Sequence, residues 1–272
     1  MSHDCQSEPT PPQEEVPGPI SVGAEWLRFR EEARKLGAEL DDGQLNRLAG
    51  FAALLRDWNR KLNLTAIADA EEIREKHFLD SLAVIAHHEF SQVRSVLDVG
   101  TGAGIPGLVL KIALPHIELV LLDSVNKKLL FAARAAFELG LEDVHVCHAR
   151  AEDASAIAPV GPVPRVPGIE RMREHFDLVV CRAVARLNVL SEWTLPFARV
   201  GGHVLAMKGP SPYEEIEEAR AGVLALGGGV ARVIEFALPH SGAGRSVVVI
   251  EKLRSCPRHL PRRPGSARAK PL

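Results

Sequence analysis

Cysteine is sparse. Cys5, Cys147, Cys181 and Cys256 stand far apart in a chain of 272 residues, with no C-x-x-C pair and no histidine at zinc-ligand spacing. Neither a disulfide framework nor a metal site is expected, and the thiols read as free. Long apolar runs are also missing: Leu119–Leu122 and Val247–Ile250 fall far short of the roughly 20 residues that cross a bilayer. No membrane span is expected. Met1 to Pro19 have neither a basic start nor an apolar stretch, so they do not read as a secretory signal, and a cytoplasmic protein is expected.

Charge of one sign is not in excess, since the formal net charge is −2, which does not advertise a nucleic-acid binder. Its placement is uneven. Residues 1–25 carry five acids and no Lys or Arg, whereas residues 251–272 carry seven Lys or Arg and one acid. That basic end is read either as a solvated tail or as an RNA contact.

What is present is ordinary globular composition, 46% hydrophobic and 25% charged, enough for one main domain with appendages. Residues 1–22 are rich in Pro and Glu and are expected to form a disordered acidic extension. Residues 23–92 show three helical patterns: Trp26, Phe29 and Ala33; then Leu45 to Trp58 after an Asp41 or Asp42 cap; then a helix from Asp69 through Phe78, Leu82 and Ile85. They predict an N-terminal helical cap. Residues 93–253 alternate short β-branched or Leu-rich runs with helical segments, which predicts an α/β domain around a parallel sheet. Strands are expected near 95–99, 118–123, 143–147, 176–181, 202–207, 230–236 and 245–252. Residues 159–168 hold four prolines and two glycines and are expected to form an inserted surface loop, and residues 254–272 a basic disordered tail.

The chemistry centres on Asp98-Val-Gly-Thr-Gly-Ala-Gly-Ile-Pro-Gly107, where Gly100, Gly102 and Gly104 permit positive φ and close approach to a ligand. A helix is expected to open at Ile105-Pro106. The spacing also satisfies the dinucleotide fingerprint, but Pro106 removes an N–H that a pyrophosphate would use and Asp98 places a carboxylate nearby. A carboxylate suits the cationic S-adenosyl-L-methionine instead, and Asp98 is read that way, with capping of the following turn as the alternative. Asp123, at the end of the second strand, is read as accepting the ribose hydroxyls or as capping the next helix. Gly107 is assigned to helix–strand packing rather than ligand contact.

Six segments in this order resemble the RsmG (GidB) family of 16S ribosomal RNA guanine-N7 methyltransferases: Trp58–Thr65, His77–Ser81, Asp98–Gly107, Leu121–Ser124, Arg182–Ala185 and Met207–Gly209. The resemblance implies a Rossmann-like S-adenosylmethionine-dependent methyltransferase fold with a mostly parallel seven-stranded sheet behind the helical cap. It implies cofactor contacts at Gly100, Ile105, Ala151, Glu152 and Arg182, and 16S ribosomal RNA or the small ribosomal subunit as partner. Glu152 is alternatively a first-turn helix acid, and Arg182 binds the methionyl carboxylate, the RNA or a surface carboxylate.

Guanine N7 is already a lone-pair nucleophile, so no catalytic triad is expected. Lys208, and Arg182 with Arg186, are read as lining the substrate entrance, and Lys208 and Arg186 are the candidates for a catalytic role. Asn63 and Thr65 are read as organising a turn, Trp58 as core, and His77 as a packed or solvent-bridging residue. The protein is expected to act as a monomer. Rival readings are a methyltransferase for another acceptor, an NAD(P)-dependent oxidoreductase and a non-catalytic RNA-binding protein.

Overall fold

The computed structural model describes residues 23–87 and 90–272. The expected disordered extension, with Cys5, lies outside the described residues. Among those described, seven strands form one sheet: β1 Ser95–Val99, β2 Glu118–Asp123, β3 Val144–His148, β4 Phe176–Arg182, β5 Ala198–Lys208, β6 Arg232–Ala237 and β7 Gly244–Glu251. Their order is β3-β2-β1-β4-β5-β7-β6, with β7 antiparallel to both neighbours. The fold is therefore α/β, Rossmann-like and mostly parallel. The order reverses between β1 and β4, and in such sheets ligands bind outside the carboxyl ends of the strands at this point.

The strands β1, β2 and β4 form where apolar residues run nearly continuously, because helices cover both faces there. Along β1, Val96, Leu97, Asp98 and Val99 are all buried. Helix α1 spans Ala24–Lys35 and α2 spans Asp42–Leu62. At the start of α2, Asp41 accepts from Gln44 N–H while the Gln44 side chain accepts from Asp41 N–H, a reciprocal cap. Helix α3 covers residues 70–82, capped by Asp69, which accepts from the N–H groups of Glu71 and Glu72. Its middle, Ile73–Leu79, is π-wound.

The cap shares its core with the sheet rather than standing apart. Phe51 of α2 stacks on Phe78 of α3 at 5.4 Å and on Phe131 at 6.4 Å, and Trp58 meets Phe131 at 5.8 Å. Phe131 belongs to α5, Asn126–Glu138, which follows β2. Aromatic stacking thus joins the N-terminal helices to one sheet face. The other face packs under α6 Ala151–Ser155, α7 Leu187–Thr194 and α8 Tyr213–Ala225. Helix α4, Gly107–Ala113, begins two residues later than the Ile105-Pro106 opening predicted from sequence, with Pro106 as its cap residue.

The segment 254–272 departs from expectation. It is not a free tail: Cys256, Leu260 and Ala267 are buried, and a short helix, α9, forms at Ser266–Ala269. Its composition suggested solvation because its anchors lie elsewhere in the chain, on Arg173 and Glu192. The Pro-rich loop is held by Asp153, whose Oδ1 accepts from Val160 and Gly161 N–H, and its Val166 is buried.

Candidate active site

Two cavities open at the carboxyl ends of the strands. The first, about 320 Å³, is lined by Gly100 after β1, Asp123 and Ser124 after β2, Ala149 to Glu152 after β3, and Val184 after β4, with Trp193, Gly265 and Arg268. The second, about 370 Å³, is lined by Arg182 and Ala183 after β4, Met207 to Gly209 after β5, Arg245 of β7, and Lys76, His77 and Asp80 of α3. The turn after β4 lies between them, Ala183 facing one cavity and Val184 the other. Ala183 holds φ at 54°, which a side-chain-bearing residue seldom adopts.

The glycine-rich turn is fixed by two carboxylates. Asp98 is fully buried, and its Oδ2 accepts from Thr101 Oγ1 at 2.6 Å and from Gly107 N–H at 2.9 Å. Its Oδ1 has no partner among the described residues, and burial pushes its pKa up to about 6 against the pull of those donors. Asp123 accepts from Gly102 N–H at 2.9 Å through one oxygen and from Val125 N–H at 2.8 Å through the other. Each oxygen retains a lone pair, so Asp123 organises the turn and still faces the cavity.

Gly100, Asp123, Ala151 and Glu152 line the first cavity, as the sequence suggests. Asp98, Gly102, Gly104 and Ile105 do not line it; they shape the turn beneath. Gly100 has φ 71°, and a Cβ there would sit 2.8 Å from Val184 Cγ2. Gly107 packs on β2, where a Cβ would meet Leu121 Cδ2 at 2.6 Å. Its amide, the first of α4, is already taken by Asp98, which leaves that helix end ill-suited to a pyrophosphate.

Arg182 belongs to the second cavity. Its Nη1 donates to Lys76 O at 2.7 Å and lies 3.3 Å from Asp80 Oδ2, and its Nη2 donates to His77 Nδ1 at 2.9 Å. Burial, and then the Arg182 charge, hold His77 down to about 4, so the imidazole is neutral. Burial raises the Asp80 pKa, opposed by Arg182 and Arg245. Lys208 also lines this cavity, its Nζ donating to Ala185 O and Glu215 Oε2, each at 2.7 Å. Arg186 lines neither cavity. It pairs with Glu218 at 2.8 Å, its side chain half exposed.

Sequence reasoning gave no role to Asp80, Arg245, Trp193 or Arg268. A signal existed for the first: Glu75, His77 and Asp80 are polar residues on a helix whose neighbours Ile73, Phe78 and Leu82 are core. Asn63 and Thr65 do organise the turn into α3. Asn63 ends α2 in the left-handed region, and Thr65 accepts from Ile67 N–H. The buried thiols of Cys147 and Cys181 are pushed up to about 11 and about 12, which keeps them protonated and unreactive.

A glycine-rich turn after β1, an acid at the end of β2 and a seven-stranded sheet with β7 reversed define a Rossmann-like methyltransferase. The O-methyltransferase from Bacillus cereus, solved in complex with SAH, shares this fold at a TM-score of 0.52 and 18% identity, covering 84% of this chain and 98% of that one. The family model for rRNA small subunit methyltransferase G (GidB) matches residues 44–241, and the chain belongs to that family. Ribosomal RNA small subunit methyltransferase G of Alkaliphilus metalliredigens is 42% identical over 244 residues, 90% of this chain and 97% of its own. Its counterpart in Brevibacillus brevis is 43% identical over 246 residues, 90% and 98% of the two chains. The protein is thus an rRNA methyltransferase. No described helix is long and apolar enough to cross a membrane.

Proposed function

We propose that this protein transfers a methyl group from S-adenosyl-L-methionine to N7 of a guanine in 16S ribosomal RNA, with the donor in the first cavity and the acceptor nucleotide in the second. The observation that carries this reading is the placement of the two cavities on either side of the Ala183-Val184 turn. The donor fits the residues present: Asp123 offers lone pairs to ribose hydroxyls, and Gly100 brings bare backbone to the cavity wall above β1. When bound, S-adenosyl-L-methionine supplies a methyl group on a positively charged sulfur.

The protein's own part is positioning. Neither His77 nor Asp80 is available as a base, because both nitrogens of His77 are engaged and Asp80 is paired with Arg182 and Arg245. Guanine N7 requires none, since its lone pair is free at neutral pH. Lys76, Arg182, Lys208 and Arg245 give the second cavity a positive field that draws in an RNA phosphate, which positions the nucleotide. Arg186 lies outside the cavity and is paired with Glu218. The proposal includes action as a monomer in the cytoplasm.

The test is transfer of labelled methyl from S-adenosyl-L-methionine to small ribosomal subunits from cells lacking the activity, followed by nucleoside mass spectrometry. N7-methylguanosine in 16S RNA is the expected product. Label in another nucleoside, or in protein, would overturn the choice of acceptor.

A further inference from the structure

After β7 the chain folds back over the first cavity, held by charged groups taken out of water. Arg173, 8% exposed, donates to four carbonyl oxygens: Ser155 at 3.1 Å, Cys256 at 2.7 Å, Pro257 at 3.1 Å and Leu260 at 2.7 Å. Glu192, fully buried on α7, accepts from Arg262 Nε at 3.0 Å, from its Nη2 at 2.6 Å and from its main-chain N–H at 2.7 Å. Opening either contact would leave a buried charge uncompensated, which opposes release of the segment.

That arrangement delivers Gly265 and Arg268 to the cavity wall. Gly265 N–H donates to Glu152 Oε1 at 3.0 Å. The Arg268 guanidinium lies over the Trp193 ring, 5.0 Å from its centroid. Glu152 is only 5% exposed and lines the cavity. Trp193, in the same wall, has its Nε1 buried without a partner among the described residues. A buried donor left without a partner on a residue of the cavity wall calls for an acceptor that a bound ligand can supply.

We propose that the C-terminal segment is part of the methyl-donor site, with Gly265 and Arg268 serving as binding residues for the donor's adenosine. The proposal rests on the donor reading above. Gly265 fixes the Glu152 carboxylate through one oxygen and leaves the other for an amino group on a purine edge. Arg268, its guanidinium over the Trp193 ring, supplies a planar cation to close the purine from solvent. The basic composition of 254–272 otherwise suggests phosphate contact, but Arg262 is paired with the buried Glu192 and Arg268 stands over Trp193 at the cavity wall.

The experiment is calorimetric titration of the full chain with S-adenosylhomocysteine, for the parent protein, Arg268→Ala and the exposed control Arg263→Ala, together with hydrogen exchange of residues 260–270 with and without that compound. Arg268→Ala should bind about tenfold more weakly, Arg263→Ala unchanged, and exchange across 260–270 in the parent should slow on binding. Equal affinity in all three, with exchange across 260–270 indifferent to the compound, overturns the proposal. So does an Arg268→Ala variant that keeps its affinity for the compound but loses salt-sensitive binding to 16S RNA, which would make the segment an RNA contact. Failure of the parent itself to bind S-adenosylhomocysteine would instead sink the donor reading on which the proposal stands.

Discussion

Arg182 donates through Nη2 to Nδ1 of His77 at 2.9 Å, and this bond fixes the tautomer of the imidazole. A guanidinium can only donate, so Nδ1 must be bare, and the hydrogen-bond network assigns the imidazole proton to Nε2, 2.9 Å from Thr65 Oγ1. The end of β4 is thereby tied through α3 to the turn that follows α2. The cap helices and the sheet meet at the second cavity through a chain of oriented polar groups.

Removing Arg182 leaves Asp80, 8% exposed at its side chain, facing Arg245 alone at 3.5 Å. Arg182→Ala should cost about 3 kcal/mol in urea unfolding, the range for breaking a buried pair, and Arg182→Lys less, because it keeps a charge opposite Asp80, though not nothing, because one ammonium cannot reach all three partners. Adding Asp80→Asn to Arg182→Ala should recover part of the loss. No recovery in that double variant would show that the pair does not couple.

Asp98 yields a pH prediction. Its ordinary pKa of 3.8 is raised to about 6 in the folded protein, so its stabilising contribution is full below 3.8 and is lost as pH rises through about 6. Asp98→Asn retains an acceptor for Thr101 and Gly107 and removes the buried charge. The stability difference, variant minus parent, should grow by on the order of 2 kcal/mol from pH 4 to pH 7. A difference that stays flat across that range would refute the assignment.

Gly102 and Gly107 should respond differently to alanine. A Cβ at Gly102 meets nothing within 4 Å, and only its φ of 58° opposes the change, for a cost of about 1 kcal/mol. At Gly107 the Cβ would lie 2.6 Å from Leu121 and 2.9 Å from Asp98 Oδ2, so Gly107→Ala should cost about 2 kcal/mol or more despite alanine's better helix propensity. Thermal unfolding of the two variants checks the order, and the reverse order would count against the packing role.

The C-terminal segment carries a matched pair. Arg262→Ala strips the fully buried Glu192 of its cation and should destabilise by about 3 kcal/mol, whereas Arg263→Ala, at an exposed position, should be near neutral. Equal melting temperatures for both would mean that the segment contributes nothing to the fold.

The sequence by itself determined the strands, the glycine-rich turn and the family. Short apolar runs flanked by helical segments read as buried strands, as in β1, β2 and β4, and Gly100, Gly102 and Gly104 mark a turn that L side chains resist. It also placed Asp123 and the Ala151-Glu152 pair, which follow directly from strand ends. Tertiary structure alone decided what the charged residues face. Arg182 turns to His77 and Asp80, which lie about a hundred residues away in sequence; Asp98 turns under α4; Arg186 turns away to Glu218. The largest departure is segment 254–272, whose composition reads as a solvated tail but whose Arg262 finds Glu192 seventy residues earlier. Local patterns report which backbone states are cheap, while the partner of a buried charge is set by long-range packing that no local pattern encodes.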